Sequence, residues 1–311
     1  MADVTEPVSR TEPPSGAAAS FPRSGILTTA LTRRGRERFS GTLRLDGGQG
    51  GEVVMRDGAV LAASTPVAPG IESLLLRSGR ISEADWSEVF TAAAPYGRLA
   101  EELVERGLLG AAAVEVLTQT AVFDAIFAIA LGGVSSCTAR PARPGDLPPL
   151  LPAEPGLDTG RIVRETHRRL EVVAGWRPFG LTIHTRPAPA ETRRNPVLAP
   201  GRAAILATAD GRASARDIAF TLGRGLYSVL SDLAILLKDG LITIDPPGGA
   251  RSQEEAAQVG AVRLDEIPIG ELPIGELRED SSPEALLEPA PSAETAAELP
   301  RRRRANAEED V

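Results

Sequence analysis

The spacing of apolar and polar positions divides the first part of the chain into a short helix followed by three strands. Apolar residues at helical spacing predict a helix over 26–31. Short alternating runs then predict strands at 42–46, 52–56 and 59–62. Asp57-Gly58 is a strong signal for a two-residue hairpin between the last two strands. The pattern therefore indicates a strand meander that packs against helices.

A helix beginning near residue 82 follows the meander. Ser82 is a suitable N-cap, with Asp85 at the third helical position, and Ile81 and Trp86 have the spacing of a hydrophobic staple. We expect this helix to bury four side chains, those of Trp86, Val89, Phe90 and Ala93.

Two more helices are predicted, over 111–131 and 158–173. The first becomes apolar almost all round, which is typical of a central core helix or of a dimer interface, so a homodimer is one alternative. The second is expected to expose four arginines: Arg161, Arg164, Arg168 and Arg169. Residues 181–185 are predicted as a strand and residues 187–200 as a linker.

The segment 201–245 has the pattern of a helix-turn-helix with a closing strand. Ser214 is placed to cap its second helix, Gly223 and Gly225 form the turn, and apolar residues line one face of a third helix over 226–239. The string from Asp210 to Ile244 resembles a small winged helix of the MarR-like type. Its second wing strand is missing or replaced by residues 246–249.

The region before it resembles the PatA-like N-terminal (PATAN) domain, a bacterial domain of unknown function. The similarity covers residues 24–185 and rests on three stretches: Gly41-Thr42-Leu43-Arg44-Leu45, Asp57-Gly58-Ala59-Val60-Leu61-Ala62 and Gly70-Ile71-Glu72-Ser73-Leu74. The resemblance implies a signalling or protein-interaction role and supplies no active site.

Together these patterns predict an α+β fold with two folded domains. We expect a leader over 1–22, a PATAN-like α/β domain over 23–185, a Pro/Arg-rich linker over 186–200, a winged helix-turn-helix over 201–245 and an acidic tail over 246–311. Leader and tail are poor in large apolar residues and are predicted to be disordered.

Charge is distributed unevenly along the chain. The net charge is −8, but residues 252–311 contain fifteen acidic residues and six arginines, so the remainder is close to neutral.

The single cysteine, Cys137, excludes an internal disulfide and suits a reducing cytoplasm. The start of the chain lacks the apolar run of a signal peptide, and no apolar segment reaches the ~20 residues of a membrane span. We therefore expect a cytoplasmic protein without membrane contact.

Candidate DNA-contacting residues lie in and before the helix-turn-helix. A recognition helix places hydrogen-bonding side chains on its outward N-terminal positions, here Tyr227, Ser228, Ser231 and Asp232. Six arginines are candidates for phosphate contacts: Arg193, Arg194, Arg202, Arg212, Arg216 and Arg224. No Arg, Lys, Asn or Gln is placed on the helix to read bases, which indicates weak sequence-specific readout.

The acidic tail contains a tandem repeat, Pro-Ile-Gly-Glu-Leu, over 268–277. Its apolar residues could dock on a partner, either as an added strand or in a groove; they are Ile269, Leu272, Ile274 and Leu277. A repeat without function is the alternative.

Two functions from different classes fit these features. The first is a cytoplasmic transcriptional regulator, in which the N-terminal domain senses a protein partner and the winged helix binds DNA. The alternative is a signalling adaptor, in which both domains bind proteins and no DNA is contacted. The chain contains no recognisable nucleophile, metal-ligand or phosphate-loop motif, so we predict no enzyme activity, no cofactor and no metal site.

Overall fold

The antiparallel meander predicted from the sequence is confirmed. In a computed structural model, which describes residues 25–191 and 196–244, β1 (Gly41–Gly47) pairs with β2 (Gly51–Arg56), and β2 pairs with β3 (Ala59–Ser64). Asp57 and Gly58 have φ angles of 50° and 83°, as a tight two-residue hairpin requires.

A fourth strand, β4 (Val134–Pro141), extends this sheet and was not predicted. It pairs antiparallel with β1, so the strand order is β3-β2-β1-β4. Only Val134 of this strand is buried, and most of the other residues are small or polar. The strand therefore lacks the alternating large apolar residues that mark a strand in the sequence.

Six α-helices lie in the described residues 25–180. They are α1 (Gly25–Arg36), α2 (Ile71–Leu76), α3 (Glu83–Ala93), α4 (Leu99–Glu105), α5 (Ala111–Gly132) and α6 (Thr159–Trp176). The Ser82 hydroxyl accepts a hydrogen bond from the Asp85 N–H, which confirms the predicted cap of α3. Trp86, Val89 and Ala93 are buried, but the prediction for Phe90 is wrong, because this side chain is 42% exposed.

Three helices and a strand pair complete the described chain. They are α7 (Pro200–Thr208), α8 (Ala215–Leu222) and α9 (Leu226–Lys238), with β5 (Pro187–Pro189) antiparallel to β6 (Ile242–Ile244). The strand that pairs with β6 thus precedes α7, in the predicted linker. The strand predicted at 181–185 is wrong: the Thr182 N–H donates to the Thr185 Oγ1 at 2.8 Å and closes a turn there.

One apolar core joins the sheet to the C-terminal helices. It contains Leu43 of β1, Ile126 of α5, Trp176 of α6 and Leu230 of α9, each at most 1% exposed. A second cluster lies among α2, α3, α4 and the start of α5. The predicted α+β class is confirmed, and side chains from the two regions predicted as domains share the larger core.

Helix α5 runs through the centre of this core. Within the described residues it is long and apolar enough to cross a membrane, and the bent α8–α9 pair also passes when it is counted as one span. The apolar window of α5 is 67% buried inside the protein. Burial of this kind is the behaviour of a core helix.

The predicted leader over 1–22 and the tail over 246–311 lie outside the described residues.

We predict that Gly223 tolerates no side chain. Its φ of 58° is left-handed, and an added Cβ would lie 2.5 Å from the Ser78 nitrogen and 2.7 Å from the Ser73 oxygen. Gly223→Ala should lower the free energy of unfolding by roughly 2–4 kcal/mol, the combined cost of the backbone conformation and the overpacking. Urea denaturation measures this loss.

Gly240→Ala is the matched control for that substitution. Gly240 has a similar φ of 67°, but nothing lies within 4 Å of an added Cβ. This variant should lose only about 1 kcal/mol. Equal losses in the two variants would show that the contact with residues 73–78 contributes nothing.

Candidate functional site

The helices α8 and α9 are joined by a three-residue turn over 223–225. Ser214 and Asp217 form a reciprocal capping box at the start of α8, and Gly223 ends this helix in a left-handed conformation. The chain direction changes by 118° between α8 and α9, within the ~90–120° range of such units. The local sequence signals therefore determine this turn.

The N-terminus of α9 binds a buried carboxylate from the centre of α5. The two carboxylate oxygens of Asp124 accept hydrogen bonds from the N–H groups of Leu226 at 2.6 Å and Tyr227 at 2.9 Å. Asp124 is 2% exposed. The first N–H groups of a helix have no partner within it and carry partial positive charge, so this carboxylate satisfies them and is stabilised by the helix dipole.

Arg169 of α6 joins this contact and is not exposed as the sequence predicted. It is 3% exposed, and its Nη1 lies 3.9 Å from the Asp124 Oδ1. Its Nε donates to the Glu165 Oε1 at 2.7 Å. The expectation of a solvated arginine face was wrong for this residue, because position 169 shares the inward face of α6 with the buried Ile162 and Leu170.

Tyr227 is also inside the protein and not on an outward face of α9. Its side chain is 3% exposed. Its ring lies edge-on to Phe127 at a centroid distance of 5.3 Å and stacks on Trp176 at 6.3 Å. The Arg169 guanidinium lies 4.6 Å from the centroid of the same ring. The buried Tyr227 side chain therefore connects α9 to α5 and α6 and is not at the outward position that the sequence predicted.

Glu165 and Arg168 extend the charged network to the surface. Arg168 donates to Glu165 at 2.7 and 2.8 Å, and its Nη1 lies 3.5 Å from the Tyr227 hydroxyl. Burial by itself raises the pKa of Glu165, but hydrogen bonds and charges of Arg168 and Arg169 outweigh burial and hold that pKa below its usual value. The hydrogen bond to Glu165 in turn raises the pKa of Arg168.

Two of the candidate phosphate-binding arginines form ion pairs with Asp232 of α9. Arg224 Nη2 lies 2.8 Å from Asp232 Oδ2, and Arg202 Nε lies 3.5 Å from Asp232 Oδ1. Asp232 itself is 6% exposed, so the expectation that it faces outward is wrong. These arginines hold α7, the turn and α9 together.

The other candidates in the helix-turn-helix are in different environments. Arg216 donates to the Pro66 oxygen at 2.9 Å and lies over the Phe220 ring, so it joins α8 to the loop after β3. Ser231 donates to the Tyr227 oxygen at 2.9 Å. Arg212 and Ser228 are exposed. Arg193 and Arg194 lie outside the described residues, as do Ile269, Leu272, Ile274 and Leu277.

Sequence reasoning missed the role of Asp124 in the contact between α5 and the N-terminus of α9. One signal for it exists: an acidic residue stands within the most apolar stretch of the chain, at 121–133. Aspartate is almost never fully buried unless it is paired. The sequence thus indicates a partner for Asp124 but does not identify α9 as that partner.

Metal-binding and reactive side chains are dispersed in the described ranges 25–191 and 196–244. These residues contain no group of three or more His, Cys, Asp or Glu side chains that could hold a metal ion. His167 lies 3.3 Å from the Thr28 hydroxyl. The polar network of Asp124, Arg169 and Glu165 has a structural role, because it satisfies the N–H groups at the buried N-terminus of α9.

Comparison of the chain with protein-family models, with curated proteins and with solved structures gives no match. The resemblances to PATAN and MarR-like domains accordingly stay predictions.

We predict that the second acceptor oxygen and the negative charge of Asp124 together stabilise the fold. Asp124→Asn should lower the free energy of unfolding by roughly 2–4 kcal/mol, because it removes charged hydrogen bonds and a charge facing Arg169. Asp158→Asn is the control, since Asp158 caps α6 at an exposed position by accepting from the Arg161 N–H. Asparagine caps as well as aspartate, so this variant should change stability by less than about 0.5 kcal/mol.

Glu165 should contribute to the acid sensitivity of the protein. Its pKa is lowered in the fold, so its contribution is present above the unfolded value of about 4.5 and is lost as the pH falls through the lower folded value. Glu165→Gln should therefore flatten the decline of stability below about pH 4.5. Thermal unfolding across a pH series measures the slope. Glu171→Gln, at an exposed position of the same helix, should keep the wild-type slope.

Proposed function

We propose that the chain is a non-enzymatic signalling adaptor that binds protein partners, and that α9 does not enter a DNA groove. One observation carries this proposal: the Asp124 carboxylate occupies the N-terminus of α9 inside the protein. A recognition helix reads bases with the residues of its first turns. In this chain the first turn of α9 packs against α5 and α6 through Tyr227.

The electrostatics of α9 favour the same function. Asp232 binds Arg202 and Arg224, so two cations expected to contact phosphates face a carboxylate instead. Moving either arginine to DNA would leave Asp232, at 6% exposure, with a weaker set of partners. Phosphate binding would therefore have to offset the loss of existing ion pairs.

The proposal includes a cytoplasmic location and no cofactor. A single cysteine suits a reducing compartment. The resemblance of residues 24–185 to PATAN domains supports a signalling role for the α/β part, and membership of that family is part of the proposal.

A transcriptional regulator is the second candidate function. It is favoured by the 118° angle between α8 and α9 and by the exposed positions of Arg212 and Ser228. Arg212 lies in the turn before α8, where backbone contacts to DNA are common in helix-turn-helix proteins.

Anisotropy of labelled mixed-sequence duplexes, titrated with the full chain across a salt series, distinguishes the two functions. We expect no binding that weakens steeply with salt, because Arg202 and Arg224 are paired with Asp232 and are not placed to neutralise phosphates, the step that releases DNA counterions. Binding that weakens steeply with salt and is lost in Arg212→Ala would overturn the adaptor proposal. Arg44→Ala is the matched control, since Arg44 is 72% exposed on the sheet.

Hydrogen exchange of the full chain provides a second readout. The N–H groups of Leu226 and Tyr227 donate to a buried carboxylate and should exchange as slowly as core amides, with or without a DNA duplex. Rapid exchange at both positions would show that the N-terminus of α9 opens readily.

A further inference from the structure

An open groove lies between helix α1 and the edge strand β4. Its volume is about 350 Å³, and both elements line it. From α1 it is lined by Ile26, Thr29 and Arg33, and from β4 by Cys137 and Ala139. Ile26 is 40% exposed, an apolar side chain at the mouth of the groove. The groove thus combines an apolar floor with a strand edge.

Backbone groups of β4 next to this groove face away from β1. Residues of an antiparallel strand alternate between bonding to the neighbouring strand and facing away from it. The hydrogen bond from the Ala142 N–H to the Ser40 oxygen, at 3.0 Å, shows which residues of β4 bond to β1. Residues 138 and 140 then bond to β1, and the N–H and C=O groups of Cys137 and Ala139 face away from it. In the described residues no strand pairs with this side of β4.

The opposite edge of the sheet is covered by the chain itself. Val60 of β3 exchanges two hydrogen bonds with Leu157, at 2.9 and 2.8 Å, and Ala153 donates to the Leu61 oxygen at 2.7 Å. Unpaired strand edges invite another strand, and proteins usually cover them or protect them with charged residues or proline. The eight residues of β4 include Arg140 and Pro141 at its end, and residues 134–139 contain neither a charged residue nor a proline. The β4 edge is therefore suited to accept an additional strand.

The charge of the groove favours an acidic occupant. Arg33 and Arg34 both line it, and a single carboxylate, Glu37, binds both guanidinium groups. Arg33 keeps a 68% exposed side chain. A second copy paired symmetrically through β4 would bring these cations close to their own counterparts. Repulsion between these like charges disfavours a symmetric dimer of this kind.

We propose that the α1–β4 groove binds an extended segment of a partner protein, which adds to β4 as a fifth strand. The segment has apolar residues at alternate positions, directed at Ile26 and the small side chains of Cys137 and Ala139. It carries Asp or Glu where it passes Arg33 and Arg34. Main-chain hydrogen bonds to residues 137 and 139 supply affinity, and the alternate side chains supply specificity. This inference rests on the adaptor function proposed above and names its binding site.

The proposal is tested by selecting displayed random peptides that bind the full chain. Peptides of about ten residues are long enough, because a typical strand has about six residues. The enriched peptides should alternate apolar and acidic residues. Synthesised with a fluorophore, they should bind the wild-type chain, and their binding should slow hydrogen exchange of the Cys137 and Ala139 N–H groups. Enrichment of basic or patternless peptides, or unchanged exchange at both positions, would overturn the proposal.

Two variants and a control locate the binding. Ala139→Pro removes an N–H that faces away from β1 and keeps the N–H groups of residues 138 and 140, which bond to β1. Arg33→Glu reverses a charge at an exposed site of the groove lining. Each should weaken peptide binding about tenfold, the effect of one lost hydrogen bond to a strand or to a charged group. Arg36→Glu makes the same charge change outside the groove lining and should stay within about twofold of wild type. Equal affinities for all four proteins would place the peptide elsewhere.

The outcomes separate this inference from the proposed function. If peptides bind Ala139→Pro and Arg33→Glu with the wild-type affinity, the groove is not their binding site, and the proposed adaptor function is unaffected. A dimer in sedimentation that Ala139→Pro converts to monomer would show that a second copy occupies the groove, which also overturns the proposal. Salt-sensitive DNA binding would overturn the adaptor function itself.

Discussion

The carboxylate of Asp124 is buried in the middle of the apolar helix α5, and the packing of α9 against α5 and α6 depends on how this carboxylate is satisfied. Removing a carboxylate from water costs several kcal/mol unless hydrogen bonds and opposite charge replace the lost hydration. Here the first N–H groups of α9 and the guanidinium of Arg169 replace it. Any packing that moved α9 away from α5 would leave this charge without the N–H groups of Leu226 and Tyr227. The contact therefore specifies one orientation of α9.

The neighbours of Asp124 extend the same constraint to a third helix. Arg169 and Glu165 bring α6 into the network, and Tyr227 places its ring among side chains of α5 and α6. Burial of the start of α9 satisfies its N–H groups and at the same time removes them from solvent. The start of α9 is therefore part of the interior packing of the described chain. The open strand edge and groove of the described chain lie instead at β4 and α1.

Local signals predicted several elements well, because each depends on a few neighbouring residues. Ser82 and Ser214 cap helices as their sequence positions indicate, and Asp57-Gly58 forms the hairpin. Prediction failed where the deciding contact is distant in sequence. The strand β4 is held by β1, more than 80 residues earlier, and its own side chains are too small and polar to indicate a strand. The expected strand at 181–185 is a turn closed by Thr185.

The sequence by itself determined the α+β class, the meander and the positions of the principal helices, because periodicity, caps and turn residues act over short distances. It also showed one acidic residue within an apolar helix, which indicates a buried partner. Only the tertiary structure decided that this partner is the N-terminus of α9, that Arg169 and Tyr227 lie inside, and that β4 leaves an open edge beside α1. Those outcomes depend on which surfaces meet in space, and the free energy of burying a charge or pairing a strand exists only once they meet.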